Sequence, residues 1–252
     1  MKIVYLVPGL MPDEECRRRE GMLRAWAAPG TQVDVAAVDE GPFSIESQYE
    51  EYLAVPATAR LAVRKEREGY DAAIVGCAGD PGLEAIRELT RNMAVFGPGA
   101  TSFLAAAMLG NRFAVLTPEG EMTQSNQLLA IRAGVRDKLA GSVSMGLPVL
   151  SMMDDRDATL KRMLEASRRA VAEMGADTLV IGCMTLAFLD FSGELEQATG
   201  LPVVNPASST LKITEAMVAC GLAPSKAAFP LPPKMADPQK PVDFTQLYGR
   251  RE

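Results

Sequence analysis

The segment Asp71-Ala-Ala-Ile-Val-Gly-Cys77 has a close copy in Asp177-Thr-Leu-Val-Ile-Gly-Cys183. Each begins with an aspartate, continues through a short β-forming run and ends in Gly-Cys. The two cysteines lie 106 residues apart in the chain. Downstream, Pro98 and Pro206 both precede small-residue stretches and lie 108 residues apart. Because the two offsets nearly agree, the sequence predicts a duplicated α/β lobe.

Short runs rich in valine and isoleucine alternate with amphipathic segments, which is typical of βα units around a parallel sheet. The clearest helix is predicted at Arg156–Met174, where apolar residues recur at helical spacing. Strands are predicted at residues 2–7, 33–38, 72–76, 94–96, 112–116, 143–145, 178–182 and 202–204. We therefore predict an α/β protein of two pseudo-symmetric lobes, each with a parallel four-stranded sheet flanked by helices, and an active site in the cleft between them.

The same repeat suggests how the chain is divided. Lobe 1 is predicted at residues 1–98 and lobe 2 at residues 99–207. Residues 208–252 are expected to form a C-terminal helix that returns to lobe 1, followed by a proline-rich tail. Six of the 17 prolines fall within the last 32 residues, so the tail is predicted to be an extended strap over its own domain or a neighbouring subunit.

Composition excludes several classes of function. The 252 residues are 48% hydrophobic and 23% charged, with a mean hydropathy of +0.04, which indicates a globular chain. A net charge of −6 provides no basic surface, so no nucleic-acid partner is expected. The chain contains no histidine. Histidine general bases, Ser-His-Asp and Cys-His catalytic groups and histidine-ligated metals are therefore impossible.

The distribution of apolar residues and cysteines predicts a cytoplasmic protein. The N-terminal apolar stretch is broken by Pro8 and Pro12 and does not resemble a secretory signal. No apolar run approaches the roughly 18 residues that a membrane span needs. The four cysteines are widely separated and include no Cys-x-x-Cys pair, which argues against a zinc site or a disulfide framework. We expect free thiols, no metal and no membrane association.

Cys77 and Cys183 fall where an open α/β sheet binds its ligands, beyond the carboxyl ends of the strands. Asp80 is predicted to cap a helix that begins at Pro81, and Thr185 is a capping residue type behind Cys183. The unpaired N–H groups at these helix starts would lower the thiol pKa values. A thiolate is therefore expected without histidine.

Two thiols presented by equivalent lobes suit one reaction: removal of a proton from a carbon next to a carbonyl and return of a proton to its opposite face. One thiolate would act as base and the other thiol as acid. The alternative interpretation is that each cysteine is a small buried residue that ends a strand. Cys16 and Cys220 have no counterpart in the repeat and are predicted to be structural or incidental.

Other polar residues admit two interpretations. Thr117 and Thr185 could donate hydroxyl hydrogen bonds to a substrate, or serve as strand-end and cap residues. Arg17, Arg18 and Arg19 could bind an anion, but adjacent arginines on a helix point in different directions, which favours a solvated face. Gly97-Pro98-Gly99 does not match a dinucleotide fingerprint, so no nucleotide cofactor is expected.

Several motifs resemble the aspartate/glutamate/hydantoin racemase superfamily, and within it the hydantoin racemase branch. They extend over most of the chain, and the two Gly-Cys elements are the most specific. The matching segments are Gly41-Pro-Phe-Ser-Ile-Glu-Ser47, Gly76-Cys-Ala-Gly-Asp-Pro-Gly82, Arg112-Phe-Ala-Val-Leu-Thr117, Ile181-Gly-Cys-Met-Thr-Leu-Ala-Phe188 and Leu201-Pro-Val-Val-Asn-Pro206.

This resemblance implies a cofactor-independent isomerase in which Cys77 and Cys183 are the catalytic acid/base pair and the small-molecule substrate lies between them. It also implies a homo-oligomer, since family members commonly form one. Substrate oxygens are expected to bind near the loop after the first strand, the threonine that ends a later strand, and the backbone after each cysteine. The substrate-binding residues implied are Pro8, Ala78, Gly79, Thr117, Met184 and Thr185.

The loop Val7-Pro8-Gly9-Leu10 departs from the family, whose hydantoin racemases usually carry an asparagine there. An apolar loop with Met11 nearby favours a less polar substituent on the substrate. We therefore predict a racemase or epimerase of hydantoin-like or amino-acid-derived molecules. The alternatives are a decarboxylase or cis-trans isomerase of the same superfamily, or a two-lobed protein that binds a metabolite without chemistry.

Overall fold

The structure, a computed structural model, describes residues 1–119, 122–235 and 244, without the side chains of residues 122 and 123. In chain order the first part contains β1 (Lys2–Val7), α1 (Asp13–Trp26), β2 (Gln32–Ala37), α2 (Gln48–Arg67), β3 (Ala72–Val75), α3 (Leu83–Leu89) and β4 (Ala94–Phe96). The second contains α4 (Pro98–Leu109), β5 (Phe113–Thr117), α5 (Met122–Arg132), β6 (Leu139–Ser144), α6 (Arg156–Met174), β7 (Thr178–Ile181), α7 (Met184–Leu189), α8 (Ser192–Thr199), β8 (Val203–Val204) and α9 (Pro206–Ala219).

The strands form two parallel four-stranded sheets of the same topology. The first has the order β2-β1-β3-β4 and the second the order β6-β5-β7-β8. The predicted α/β class and the pair of matched sheets are therefore confirmed. In both sheets the third strand in sequence, β3 or β7, is a central strand that lies beside the first strand of its lobe and leads into Gly-Cys.

Local chemistry explains where the best-predicted helix begins and ends. Helix α6 has the bounds expected from its apolar periodicity. The Asp155 side chain accepts a hydrogen bond from the N–H of Ala158 at 2.9 Å and so caps its start. Gly175 ends it with a φ of 62°, in the left-handed region that glycine adopts without steric cost.

One strand was predicted incorrectly. Strand β6 spans Leu139–Ser144, whereas the sequence pattern indicated only residues 143–145. The missed residues include Gly141, which has a φ of 157° and lies where the pairing with β5 shifts register. Glycine is a weak β-former, so the sequence pattern does not predict a strand at this irregular position. Pairing with the neighbouring strand, rather than β propensity, keeps the segment extended.

Two helices pack against the sheet of the other half of the chain, not the sheet that they follow in sequence. Helix α4 follows the first sheet but packs on the second, where Phe103 contacts Phe113 of β5 with ring centroids 5.1 Å apart. Helix α9 follows the second sheet and packs towards the first, where Glu215 accepts a hydrogen bond from the N–H of Ala28. The boundary predicted at residue 207 lies within α9, and the domain limits stay a prediction.

An aromatic cluster joins the lobes beneath the cleft. Phe188 of α7 lies edge-on to Tyr5 of β1, with ring centroids 5.5 Å apart, and stacks on Trp26 at 6.0 Å. These rings belong to one apolar core that includes residues of both sheets. Contacts of this kind stabilise the folded state by burial and by favourable ring geometry. They connect β1 and α1 of the first lobe to α7 of the second.

The described part of the tail lies against lobe 1 of its own chain. The Met235 side chain is buried in a core cluster of the first sheet, and Leu231 and Phe244 pack on the same cluster. Lys226 donates to the carbonyl oxygens of Arg87 and Thr90. Residues 221–235 therefore lie against their own chain, which is one of the two locations predicted for the tail. Residues 236–243 and 245–252 lie outside the described residues.

Candidate active site

The two Gly-Cys pairs occupy equivalent positions at the carboxyl edges of the sheets. The N–H of Gly76 donates to the carbonyl oxygen of Leu6 at 2.7 Å, and the N–H of Gly182 donates to that of Leu116 at 2.8 Å. A Cβ atom at either glycine would lie 2.7 or 2.8 Å from the same carbonyl oxygen. Only glycine permits this close approach. The repeat therefore places each following cysteine at the same point relative to its sheet.

Cys77 and Cys183 line one cavity between the lobes, with a volume of about 100 Å³. Most of its lining is apolar. Arg19, Glu46 and Glu119 are its charged lining residues within the described part of the chain. The other lining residues are Val7, Pro8, Gly9, Leu10, Met11, Phe43, Ser44, Ile45, Gly76, Ala78, Gly79, Pro118, Val149, Gly182, Met184 and Thr185.

Most of the substrate-binding residues implied by the sequence lie at this cavity. Pro8, Ala78, Gly79, Met184 and Thr185 all line it. Thr117 does not. It is fully buried, and its hydroxyl group donates to the carbonyl oxygens of Glu119 and Val143. Thr117 ends β5, and the two residues that follow it, Pro118 and Glu119, line the cavity, so a contact of Thr117 with substrate stays a prediction.

The loop after β1 and the segment around residue 43 form one wall of the cavity. The N–H of Leu10 donates to the carbonyl oxygen of Pro42 at 2.9 Å, which ties the two segments together. Phe43 is 75% exposed and Met11 is partly buried, and both border the cavity. Leu10, Met11 and Phe43 therefore make part of this wall apolar, as the departure of the first loop from the family pattern suggested, while Ser44 and Glu46 make the rest of it polar.

Burial dominates the ionisation of both thiols. It raises the pKa of Cys77 strongly, and the N–H of Gly79 lowers this pKa only in part. Burial also raises the pKa of Cys183, against the lowering effect of the N–H groups of Leu186 and Thr185. The expectation of lowered thiol pKa values is wrong, since desolvation outweighs the N–H groups that the sequence correctly placed beside each sulfur.

Asp80 does not cap the helix that follows it. Helix α3 begins at Leu83, with Gly82 as its N-cap residue and no side-chain cap. The Asp80 carboxylate instead accepts the N–H groups of Gly99 and Ala100, at 2.8 and 2.7 Å, and so caps α4. Burial raises the pKa of Asp80 to about 7. The capping role was predicted, but for the wrong helix, because the contact is 19 residues distant in sequence.

Replacing Asp80 with alanine is expected to lower the free energy of unfolding by about 2 kcal/mol, since two buried N–H groups lose their acceptor. Asp80→Asn retains one carbonyl oxygen and should cost less. Urea unfolding followed by circular dichroism measures both changes. Equal stability of wild type and Asp80→Ala would show that the carboxylate contributes no cap to α4.

Arg19 is not part of a solvated face. Its side chain is 4% exposed, and its Nε donates to Glu15 at 2.7 Å. The guanidinium lies over the Phe188 ring, 4.8 Å from the centroid. Arg17 is exposed as expected, whereas Arg18 donates to the carbonyl oxygen of Phe188. Residues of the other lobe cover Arg19, and helical periodicity within α1 cannot predict such a contact.

Neither a metal cluster nor a membrane span is found in the part of the chain that the structure describes. No three Cys, Asp or Glu side chains there lie together as ligands for a metal ion. No helix there combines the length and apolar character needed to cross a membrane.

Comparisons with known proteins follow the same motifs. The model of the family described as Asp/Glu/Hydantoin racemase matches residues 15–214. A hydantoin racemase from Pseudomonas sp. (strain NS671) is 32% identical over 207 residues, which cover 82% of each chain. The solved allantoin racemase from Klebsiella pneumoniae superposes with a TM-score of 0.86 at 28% identity, covering 93% of this chain and 94% of that one.

More distant solved structures share the architecture. The crystal structure of arylmalonate decarboxylase superposes with a TM-score of 0.60 at 19% identity, covering 88% of this chain and 94% of that one. At this level of identity the likeness shows the fold alone.

Proposed function

Because the chain belongs to the Asp/Glu/hydantoin racemase family, we propose that it is a cofactor-independent racemase that uses Cys77 and Cys183 as its acid/base pair. The observation that carries the proposal is that both thiols line one cavity, from the equivalent ends of two matched sheets. A carbon held between them has one thiol on each face. That arrangement suits inversion of a stereocentre.

The proposed reaction needs only groups that this cavity contains. The thiolate of one cysteine removes the proton from a carbon next to a carbonyl, and the thiol of the other returns a proton to the opposite face. The negative charge that develops on the carbonyl oxygen is stabilised by backbone N–H groups after the cysteines, at Ala78, Gly79, Met184 and Thr185. In a cavity with a largely apolar lining such hydrogen bonds are stronger than in water.

The proposed substrates are 5-substituted hydantoins and related amino-acid-derived molecules. Relatives are named hydantoin racemase and allantoin racemase, and both names refer to small amide-containing rings or ureides. The wall formed by Leu10, Met11 and Phe43 supports an apolar substituent on the exchangeable carbon rather than a polar one. We expect hydantoins with aliphatic or aromatic substituents to be preferred over allantoin.

Proton exchange tests this proposal directly. Single enantiomers of several 5-substituted hydantoins and of allantoin are incubated with the protein in deuterated buffer. Incorporation of deuterium at the stereocentre is followed by NMR and loss of optical purity by chiral chromatography. We expect both to proceed well above the rate without protein. Saturable binding with no exchange on any substrate would contradict the proposal and favour a metabolite-binding protein.

A decarboxylase is the alternative within the family, and a single essential thiol would favour it.

Two further properties stay predictions: a cytoplasmic location and a homo-oligomeric state. Exposed apolar side chains on α4 and α5, among them Met108 and Ile131, support the homo-oligomer. Static light scattering measures the particle mass, and a mass near the monomer value of 27.0 kDa would contradict it.

A further inference from the structure

The backbone that follows Cys77 is less regular than the backbone that follows Cys183. Cys183 is the N-cap residue of α7, so a helix holds the residues immediately after it. After Cys77, residues 78–82 belong to no helix or strand, and α3 begins only after them. In this segment, which together with Cys77 we call the Cys77 loop, the N–H of Asp80 donates to the carbonyl oxygen of Cys77 at 3.1 Å. The position of the loop therefore depends on contacts from elsewhere in the fold.

The Asp80 side chain joins the Cys77 loop to the second lobe. Its buried carboxylate accepts the N–H groups of Gly99 and Ala100 at the start of α4, at 2.8 and 2.7 Å. Helix α4 packs on the second sheet, whose strand β7 leads into Cys183. Hydrogen bonds to a carboxylate are among the stronger ones in proteins. Asp80 thus connects the backbone near Cys77 to the lobe that carries the other thiol.

Close packing and backbone conformation support the same link. A Cβ atom at Gly99 would overlap the carbonyl oxygen of Ala78, so the first turn of α4 lies directly against the Cys77 loop. Asp80 has a φ of 54°, in the left-handed region that few residues other than glycine adopt. A conformation of this kind persists where surrounding contacts hold it. The two N–H groups of α4 provide such contacts for Asp80.

The equivalent helix of the second lobe is capped in a different way. Asn205 precedes α9, and its own side-chain oxygen accepts the N–H groups of Ala207 and Ser208 at 2.9 and 3.4 Å. Its amide group also donates to the carbonyl oxygen of Ala187 at 2.9 Å, within α7. The cap of α9 therefore comes from the adjoining residue and contacts a helix. The cap of α4 comes from an irregular loop, 19 residues distant in sequence.

Gly97 takes the place of Asn205 in the repeat. Both residues have an extended backbone, with φ values of −113° and −83°, and each precedes a proline at the start of its helix. A Cβ atom at Gly97 would lie 2.5 Å from Asp80 Oδ1, so the Asp80 carboxylate occupies the space that a local cap would need. A local asparagine cap would suffice for the helix alone. The use of a residue from the Cys77 loop instead indicates a role beyond capping.

We propose that Asp80 is a positioning residue: its carboxylate holds the Cys77 loop against α4 and so fixes the position of Cys77 relative to Cys183. The inference rests on the proposed function, in which both thiols contact one carbon from opposite faces. Misplacement of a reacting group by about 1 Å can cost about a hundredfold in rate. A link between the Cys77 loop and the other lobe therefore bears directly on the rate of proton transfer.

Loss of this link should lower kcat more than it raises KM. Asp80 lies outside the lining of the active-site cavity, so its replacement removes no group that lines it. We expect Asp80→Ala to lower kcat for racemisation about tenfold to a hundredfold, with KM changed less than about threefold. Asp155→Ala is the matched control, since Asp155 caps α6 and also lies outside the cavity lining. It should lower stability and retain the wild-type kcat.

A double variant separates positioning from capping. Asp80→Ala empties the space beside Gly97, and the added substitution Gly97→Asn then gives α4 the kind of cap that Asn205 gives α9. We expect Asp80→Ala/Gly97→Asn to recover most of the urea-unfolding midpoint that Asp80→Ala loses, while kcat stays low. A residue that acts only as a cap would instead let stability and kcat recover together.

Amide hydrogen exchange tests the same link without turnover. The intact protein is placed in deuterated buffer, and peptides that cover the Cys77 loop and α7 are followed by mass spectrometry. In the double variant we expect about tenfold faster exchange in the Cys77 loop and no change in α7. If the wild-type protein racemises no substrate, the proposed function fails, and the exchange rates still decide whether Asp80 holds the loop.

Two outcomes in the double variant would overturn the inference: recovery of kcat together with stability, or exchange of the Cys77 loop at the wild-type rate. If the double variant does not fold, Asp80→Asn decides. Asparagine keeps one acceptor and tolerates the left-handed backbone, so this variant should fold and show a kcat between those of wild type and Asp80→Ala. Wild-type kcat and wild-type loop exchange in Asp80→Asn would contradict the role of the carboxylate.

Discussion

Replacement of either Cys77 or Cys183 with serine is expected to abolish racemisation, lowering kcat/KM by about a thousandfold or more. Serine preserves the shape of the side chain, but its hydroxyl group is a far weaker acid than a thiol and cannot serve as the base. Inversion needs one proton transfer on each face of the carbon, so loss of either group should suffice. Chiral chromatography of a reacting hydantoin enantiomer measures the effect.

The matched controls are Cys16→Ser and Cys220→Ser, which change the same atom away from the cavity and should retain wild-type rates. The pattern across the four variants distinguishes the candidate functions. If only one of Cys77 and Cys183 is essential, a decarboxylase-type reaction gains support. If both variants bind a ligand as tightly as wild type and neither wild type nor variant exchanges a proton, a binding protein is favoured.

A methyl group at Gly76 or Gly182 is expected to destabilise the protein by about 3 kcal/mol and to abolish activity. Each added Cβ would lie under 3 Å from a backbone carbonyl oxygen of the adjacent strand, and such an oxygen cannot rotate away as a flexible side chain could. Relief requires the strand end to move. The cysteine that follows would then leave its position in the cavity.

Urea unfolding of Gly76→Ala and Gly182→Ala measures this loss. Gly21→Ala is the matched control, since Gly21 lies within α1 and a Cβ there would meet no atom within 4 Å. That control should instead gain about 1 kcal/mol, because alanine is the better helix former. Wild-type stability in both Gly-Cys variants would show that the close approach of the strands does not explain the repeated glycine.

Local patterns predicted the regular elements well. Helix α6 has the expected bounds, and strands β1 and β4 begin and end at the predicted residues. These elements are bounded by caps or breakers and carry clear periodicity, both of which depend only on neighbouring residues. Strand β6 was missed in part because its pairing partner, not its composition, holds it extended.

The candidate site was predicted from duplication rather than from any single motif. The repeated Gly-Cys pairs, at the ends of equivalent strands, indicated Cys77 and Cys183, and the structure brings both to one cavity. The segment around Phe43 carried a family-like motif but no assigned contact. The sequence predicted Arg19 to be exposed, since adjacent arginines on an amphipathic helix usually remain in water, and this prediction was wrong.

The amino-acid sequence alone determined the class of the fold, the duplication, the two thiols and the exclusion of histidine chemistry, because each depends on residue identity or on spacing along the chain. Only the tertiary structure decided the burial of Arg19, the capping of α4 by Asp80 and the raised thiol pKa values. The reason is physical: burial and electrostatic environment depend on groups that are distant in the chain and adjacent only after the two lobes close on each other.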